Sequence, residues 1–201
     1  MPNADNTVEH VRFLFDPACP WAYRAALWMQ EAAQVRPLEI QWELYALEFV
    51  NRDKREDSYL RILRRNRRAL RLIAGARQAA GDRAVETLYM LIGEARHEHR
   101  RALYDENMLA QAVERAGLPL SLLEETRMNA QLDAELEQKY ARAERQGAFG
   151  VPTLFLGDNG RPFYGPVLDS VPRGEEAGEV WDHVAALVRL PYFFELKRNR
   201  I

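Results

Sequence analysis

The chain of 201 residues has one cysteine, Cys19. Its lysines are only Lys54, Lys139 and Lys197, the remaining basic residues being arginine. A single thiol excludes the internal disulfide framework on which small secreted scaffolds depend, and agrees with a reducing compartment. Long apolar runs are missing as well. Val11 to Phe15 is too short for a signal-peptide core or a membrane span, and Met1 to Glu9 is polar and acidic, so a cytoplasmic protein with no membrane partner is expected. The formal charge of −2 supplies no general attraction to nucleic acid. Neither a Walker A loop nor GxGxxG is present, which leaves nucleotide cofactors unsupported. His97-Glu98-His99 does not make a metal site: residues two apart on a helix point about 200° apart and cannot chelate one ion. His97 is expected as a solvated helical residue, facing the site only in the less favoured arrangement.

What is present is a continuous pattern of ordered elements. With 47% hydrophobic residues and no Pro/Gly/Ser-rich linker, the chain can bury a core as one domain or as one domain carrying an insertion. Val11 to Phe15, stopped by Asp16-Pro17, predicts a buried strand, and Pro20 to Gln34 a helix opened by proline and ended at Arg36-Pro37. Leu38 to Phe49 alternates through Ile40, Trp42, Leu44 and Ala46 as a second strand, parallel to the first. From Asp57 to Gln131 the spacing is helical, with breaks near Gly81, Tyr104 and Gly117-Leu118-Pro119 and a capping box at Ser121 and Glu124. Within it Arg61, Arg64, Arg65, Arg68 and Arg71 predict a solvated basic helix face. Asp133 to Gln146 predicts a helix capped by Gly147. A hairpin follows, from Val151 to Leu156, a turn at Asp158-Asn159-Gly160, and Pro162 to Tyr164. A helix from Glu175 to Arg189 and a shorter one from Pro191 to Lys197 close the chain. The order is β-α-β, helices, α-β-β-α. It is that of an α/β thioredoxin-like fold with an all-helical insertion, in which residues 1–56 and 132–201 form a discontinuous thioredoxin-like domain and residues 57–131 the inserted one.

Within this plan Cys19 falls where the first strand ends and the first helix begins. The first N–H groups of a helix lack intrahelical partners and the peptide dipoles add partial positive charge there, both of which favour a thiolate. Asn51 follows the second strand on the same edge, as a donor that can orient a substrate oxygen or as an ordinary capping residue. Pro152, leading into a central strand, is out of place unless it has a special role. A cis Val151–Pro152 bond, expected by analogy to the fold, turns the Val151 backbone toward the thiol. Trp21 is expected to line the site, whereas Tyr59, like Tyr23 and Phe149, is either an aromatic wall or core. Asp16 reads as a cap or turn former.

Three groups of residues carry a resemblance. They are Phe15-Asp16-Pro17-Ala18-Cys19-Pro20-Trp21, Val151-Pro152-Thr153 with Phe163-Tyr164-Gly165-Pro166-Val167-Leu168, and a C-terminal block. That block comprises Pro172-Arg173-Gly174-Glu175-Glu176-Ala177-Gly178, Trp181-Asp182 and Phe193-Phe194-Glu195-Leu196-Lys197-Arg198. The chain resembles the DsbA-like group that includes 2-hydroxychromene-2-carboxylate isomerases and kappa-class glutathione transferases, and most of all the mycothiol-dependent nitroreductase family. The resemblance implies no tightly bound cofactor, a low-molecular-weight thiol (mycothiol or glutathione) as co-substrate, and nitroaromatic or disulfide substrates. It makes Cys19 the nucleophile and Pro152 the cis-proline, with Trp21, Asn51, Tyr59, Val151 and Thr153 on the substrate side. The partners are then a small thiol and a small aromatic or disulfide compound, with a homodimer left open.

The departure is Ala22, where dithiol members carry a second cysteine. One sulfur must therefore perform the whole cycle. Two other readings stand beside the monothiol oxidoreductase: a thiol transferase or isomerase, and a degenerate member acting as a binding protein.

Overall fold

The computed structural model describes residues 8–52, 58–157 and 160–199. Strand β1 (Glu9–Phe15) runs through the centre of a sheet in which Phe13 and Phe15, two residues apart and thus on one face, meet Trp42 of β2 (Leu38–Leu44). The two strands are parallel, from Glu9 opposite Leu38 to Phe15 opposite Leu44. Helix α1 (Pro20–Val35) connects them, with proline in its first turn and extended Arg36, restricted by the following Pro37, at its end.

The second strand is shorter than its alternation predicts. It ends at Leu44, and Leu47–Val50 forms helix α2, because the Leu47 N–H donates to the Asp16 carboxylate at 2.8 Å. A chain whose amide is captured by a side chain cannot continue the ladder there.

Helices α3 (Ser58–Ala80), α4 (Asp82–His97), α5 (Glu106–Arg115) and α6 (Ser121–Arg127) follow, then α7 (Ala130–Arg145). The breaks fall at Gly81, around Tyr104 and at Gly117 to Pro119, as the spacing predicts. Their junction with the first part of the chain, at residues 56–57, lies outside the described residues. The Ser121–Glu124 capping box does not form. Leu120 precedes α6 in helical conformation without a side-chain cap, because a turn from Pro119 already receives the amides of Leu122 and Leu123. Helix α7 starts three residues before its predicted Asp133, where Asn129 Oδ1 accepts the N–H groups of Gln131 and Leu132.

The predicted basic face of α3 is only partly solvated. Arg61 and Arg64 are exposed, and Arg65 lies 3.6 Å over the Tyr104 ring. Arg68 is buried against Glu106 at 2.8 Å and Thr126 at 3.1 Å, and Arg71 forks onto Asp133 with two 2.7 Å bonds. These arginines join α3 to α5, α6 and α7.

Strand β3 (Thr153–Leu156) pairs antiparallel with β1 and with β4 (Phe163–Tyr164), giving the sheet order β2-β1-β3-β4. It begins at Thr153 and not Val151, since Pro152 has no N–H for the ladder. Asp158 and Asn159 of the predicted turn lie outside the described residues. Helix α8 (Gly174–Val188) packs on α1, where Trp28 Nε1 donates to the Ala177 carbonyl at 3.0 Å. The predicted helix from Pro191 to Lys197 is absent. Tyr192, Phe194 and Leu196 are all exposed and only Phe193 is packed, stacking on Phe163 at 5.8 Å, which is too little to stabilise so short a helix.

Candidate active site

The turn from Asp16 to Cys19 is held from inside and outside. The Cys19 N–H donates to the Asp16 carbonyl at 2.9 Å and the Ala18 N–H to Asp16 Oδ1 at 2.7 Å. From the end of α4, His97 Nε2 lies 2.9 Å from the Pro17 carbonyl. A carbonyl only accepts, so Nε2 carries the proton.

His97 is thus not the solvated helical residue expected. Its ring stacks on Tyr23 at 5.1 Å, and Tyr23 donates to Glu98 at 2.8 Å. Burial pushes the His97 pKa down to about 4, with Arg96 and Arg24 adding to the fall against the Pro17 bond and Glu98. The ring is therefore neutral at physiological pH.

Cys19 is the N-cap of α1. Its Sγ accepts the Ala22 N–H at 3.4 Å and lies 3.6 Å from the Val151 carbonyl, toward which the thiol donates. The residue is 7% exposed. The Val151–Pro152 peptide bond is cis, and so is Gly165–Pro166, for which the sequence held no expectation. Gly165 N–H donates to the Pro152 carbonyl at 2.9 Å, binding the two proline loops together. Buried Thr153 turns its hydroxyl to the Gly150 carbonyl at 2.8 Å.

Of the sequence-predicted residues, Cys19, Val151 and Pro152 come together directly, with Thr153 supporting them from the first position of β3. Trp21, in the first turn of α1, is half-buried beneath the Arg24 guanidinium, 5.2 Å from its ring. Asn51 is half-buried and caps the helix behind it through a 2.7 Å bond from Nδ2 to the Leu47 carbonyl. Tyr59 stands exposed in the first turn of α3. Beside the proline loop Phe149 stacks on Tyr164 at 5.2 Å, with both rings exposed.

Two further residues were not singled out as site residues by sequence. Asp16 is a turn former as expected, but it is also buried, and burial above all pushes its pKa up to about 6 against two amide bonds. Tyr89 of α4 is fully buried against Phe15, with ring centroids 3.8 Å apart. Its hydroxyl has no hydrogen-bond partner among the described residues, and burial together with the charges of Cys19 and Asp16 raises its pKa well above the usual tyrosine range. An apolar-looking helical stretch offers no signal for such a role.

Among the described residues no group of three or more His, Cys, Asp or Glu side chains is placed to hold a metal ion, and no helix is long and apolar enough to cross a membrane. A surface depression of about 390 Å³, lined by Gln30, Leu38, Ile40, Trp42 and Glu86 among others, contains none of the residues around the thiol.

A thiol capping the first helix of a four-stranded α/β sheet, facing a cis X-Pro loop, defines a DsbA-like, thioredoxin-fold thiol-dependent oxidoreductase. More narrowly, the chain belongs to the Rv2466c-like family, described as mycothiol-dependent nitroreductase Rv2466c, whose sequence model matches residues 18–198. It is 27% identical to the uncharacterized protein Rv2286c of Mycobacterium tuberculosis over 197 residues, covering 94% of this chain and 82% of that relative. Among solved structures it is similar to a 2-hydroxychromene-2-carboxylate isomerase, at 20% identity and TM-score 0.66, covering 90% of this chain and 95% of the other. The glutathione-bound cytosolic disulfide reductase DsbM of Pseudomonas aeruginosa has 18% identity and TM-score 0.58, covering 89% and 100%.

Proposed function

We propose that the protein is a monothiol oxidoreductase in which Cys19 is the nucleophile and a small thiol, of the mycothiol or glutathione type, is the co-substrate. The observation that carries this reading is the position of Sγ, 3.4 Å from the Ala22 amide at the helix end and 3.6 Å from the Val151 carbonyl. The amide and the helix dipole favour the thiolate. The carbonyl accepts only from the thiol form, so ionisation makes it available to an incoming donor. The 7% exposure of Cys19 favours attack on slender thiol compounds over bulky ones. The family supports mycothiol, and the glutathione seen on a structural relative supports the wider class.

In the cycle, the Cys19 thiolate attacks one sulfur of a disulfide and the other sulfur leaves as a thiolate. Ala22 offers no second thiol. A second small thiol, ionised, attacks the small-thiol sulfur of the mixed disulfide, forming a new disulfide and expelling Cys19 as the thiolate. Each turn on a mixed disulfide consumes one small thiol and releases the substrate's thiol and the small thiol's own disulfide. On a nitroaromatic, two small thiols are oxidised to one disulfide while the nitro group takes up two electrons and two protons and loses water to become a nitroso group. Trp21, Asn51, Tyr59, Val151, Pro152 and Thr153 form the substrate side. The same reading keeps residues 1–56 and 132–201 as the thioredoxin-like unit and 57–131 as an insertion. It assigns the protein to the cytoplasm, where a reduced thiol pool can drive the cycle.

Intact-protein mass measurement after exposure to oxidised mycothiol or oxidised glutathione tests the proposal. One adduct per chain is expected, removed by the reduced thiol and absent from Cys19→Ser, which should lose about 100-fold or more in turnover. Cys19→Ser turning over like the wild type sinks the mechanism. Thiol-dependent turnover with no adduct assigns the site instead to transferase or isomerase chemistry.

A further inference from the structure

Asp16 does more than shape the thiol turn. Its Oδ1 accepts the N–H of Ala18, the residue before Cys19, at 2.7 Å, while its Oδ2 accepts the N–H of Leu47 at 2.8 Å. Leu47 opens α2, and its own carbonyl receives Asn51 Nδ2 at 2.7 Å. One buried carboxylate therefore joins the segment bearing the sulfur to the segment bearing Asn51. We propose that Asp16 is a positioning residue whose ionised carboxylate clamps the Cys19 turn to α2, and whose protonation releases the Leu47 end. This rests on Cys19 being the nucleophile.

The physical reason lies in acceptor counting. An ionised carboxylate presents strong acceptors on both oxygens, whereas protonation turns one oxygen into an O–H donor and a much weaker acceptor, so one of the two amides loses most of its bond. The Ala18 bond is local, and its turn is also held by Cys19 N–H on the Asp16 carbonyl and by His97 on Pro17. The Leu47 bond spans 31 residues and is the end that yields.

Charged and titratable groups face Asp16 from every neighbouring element. Glu48 of α2 opposes its ionisation and is itself held by two bonds from Arg67 of α3. Cys19 lies on the same turn. From α4, Tyr89 faces both Asp16 and Cys19, with its hydroxyl unpartnered among the described residues. His97, on the adjoining carbonyl, stays neutral above about pH 4. Asp16, with its pKa pushed up to about 6, changes charge across mildly acidic pH.

Amide NMR of the whole protein from pH 5 to 7.5 tests the clamp. The Leu47 and Ala18 resonances should titrate together with a midpoint near 6. In Asp16→Asn, Oδ1 still accepts from Ala18 but an amide nitrogen faces Leu47. There the titration should vanish, Leu47 hydrogen exchange should quicken about 10-fold or more, and kcat should fall about 10-fold with KM little changed. A wild-type Leu47 amide that does not titrate overturns the clamp, even if the variant fails to fold. So does Asp16→Asn with unchanged Leu47 exchange. Fully active Cys19→Ser defeats the catalytic reading while leaving the amide titration intact, so the two failures are distinguishable.

Discussion

In the proposed monothiol mechanism, Ala22 decides which half of thiol chemistry is open. Its N–H holds the sulfur, yet its methyl group stands where a resolving thiol is needed, and the residue is fully buried. Ala22→Cys should therefore change the outcome more than the structure. One added sulfur atom costs about 1 to 3 kcal/mol if the site cannot relax. After treatment with oxidised glutathione, the variant should lose the stable adduct and gain an internal disulfide, read as a mass lower by two hydrogens and the loss of both free thiols. A variant that keeps the adduct indefinitely contradicts the role given to position 22. Cys19 itself was legible, because a lone cysteine followed by proline at a strand end has a physical reason to be there. Asp16 was legible only as a turn former. Its burial is set by the packing of the whole chain around it, and its second bond, from Leu47, has no local signature.

Helix α4 reaches the site because it can approach α1 closely. Gly93 makes this approach possible, since a Cβ there would collide with the ring of Tyr23, the same ring that stacks on His97 and bonds to Glu98. Gly93→Ala should push Tyr23 aside and destabilise the fold by about 1 to 3 kcal/mol, seen as a lower urea midpoint at unchanged slope. A midpoint equal to the wild type would show that the helices part without cost. The strands and helices were mostly legible from periodicity and punctuation. Two of the exceptions share one cause, a partner from elsewhere in the chain. Leu47 leaves the strand pattern for Asp16, and Arg68 and Arg71 leave solvent for Glu106 and Asp133. The last predicted helix fails for a different reason, having little to pack against beyond the stacking of Phe193 on Phe163.

Two groups at the thiol turn pull the stability of the protein in opposite directions as pH changes. The raised pKa of Asp16 means that the folded chain holds its proton more tightly, so its contribution is fully present below about 3.8 and is lost as pH rises through about 6. An upward shift of about two is worth roughly 3 kcal/mol. His97 has the reverse sign. Its lowered pKa lets the unfolded chain take a proton that the folded chain refuses, so its contribution is present above about 6.5 and is lost as pH falls toward about 4. Because the ring is only half-buried, solvent reduces this second contribution. Between about pH 4 and 6.5 the two therefore oppose each other in the wild type. Urea unfolding of single variants at pH 7 and 4.5 should separate them: Asp16→Asn should lose stability on acidification, and His97→Gln should gain it relative to wild type. Parallel slopes in the two variants would remove the physical basis for both signs.

The order of strands and helices, the helix-capping sulfur and the missing second thiol are written in the chain, because periodicity, proline placement and residue type act over a few neighbours. How the site is assembled is not. The 3.6 Å approach of Sγ to Val151, the His97 contact with Pro17 and the double use of Asp16 each join residues separated by 31 to 132 positions. Such contacts depend on how whole faces pack, and burial, which sets the protonation of Asp16 and His97, exists only once that packing is complete.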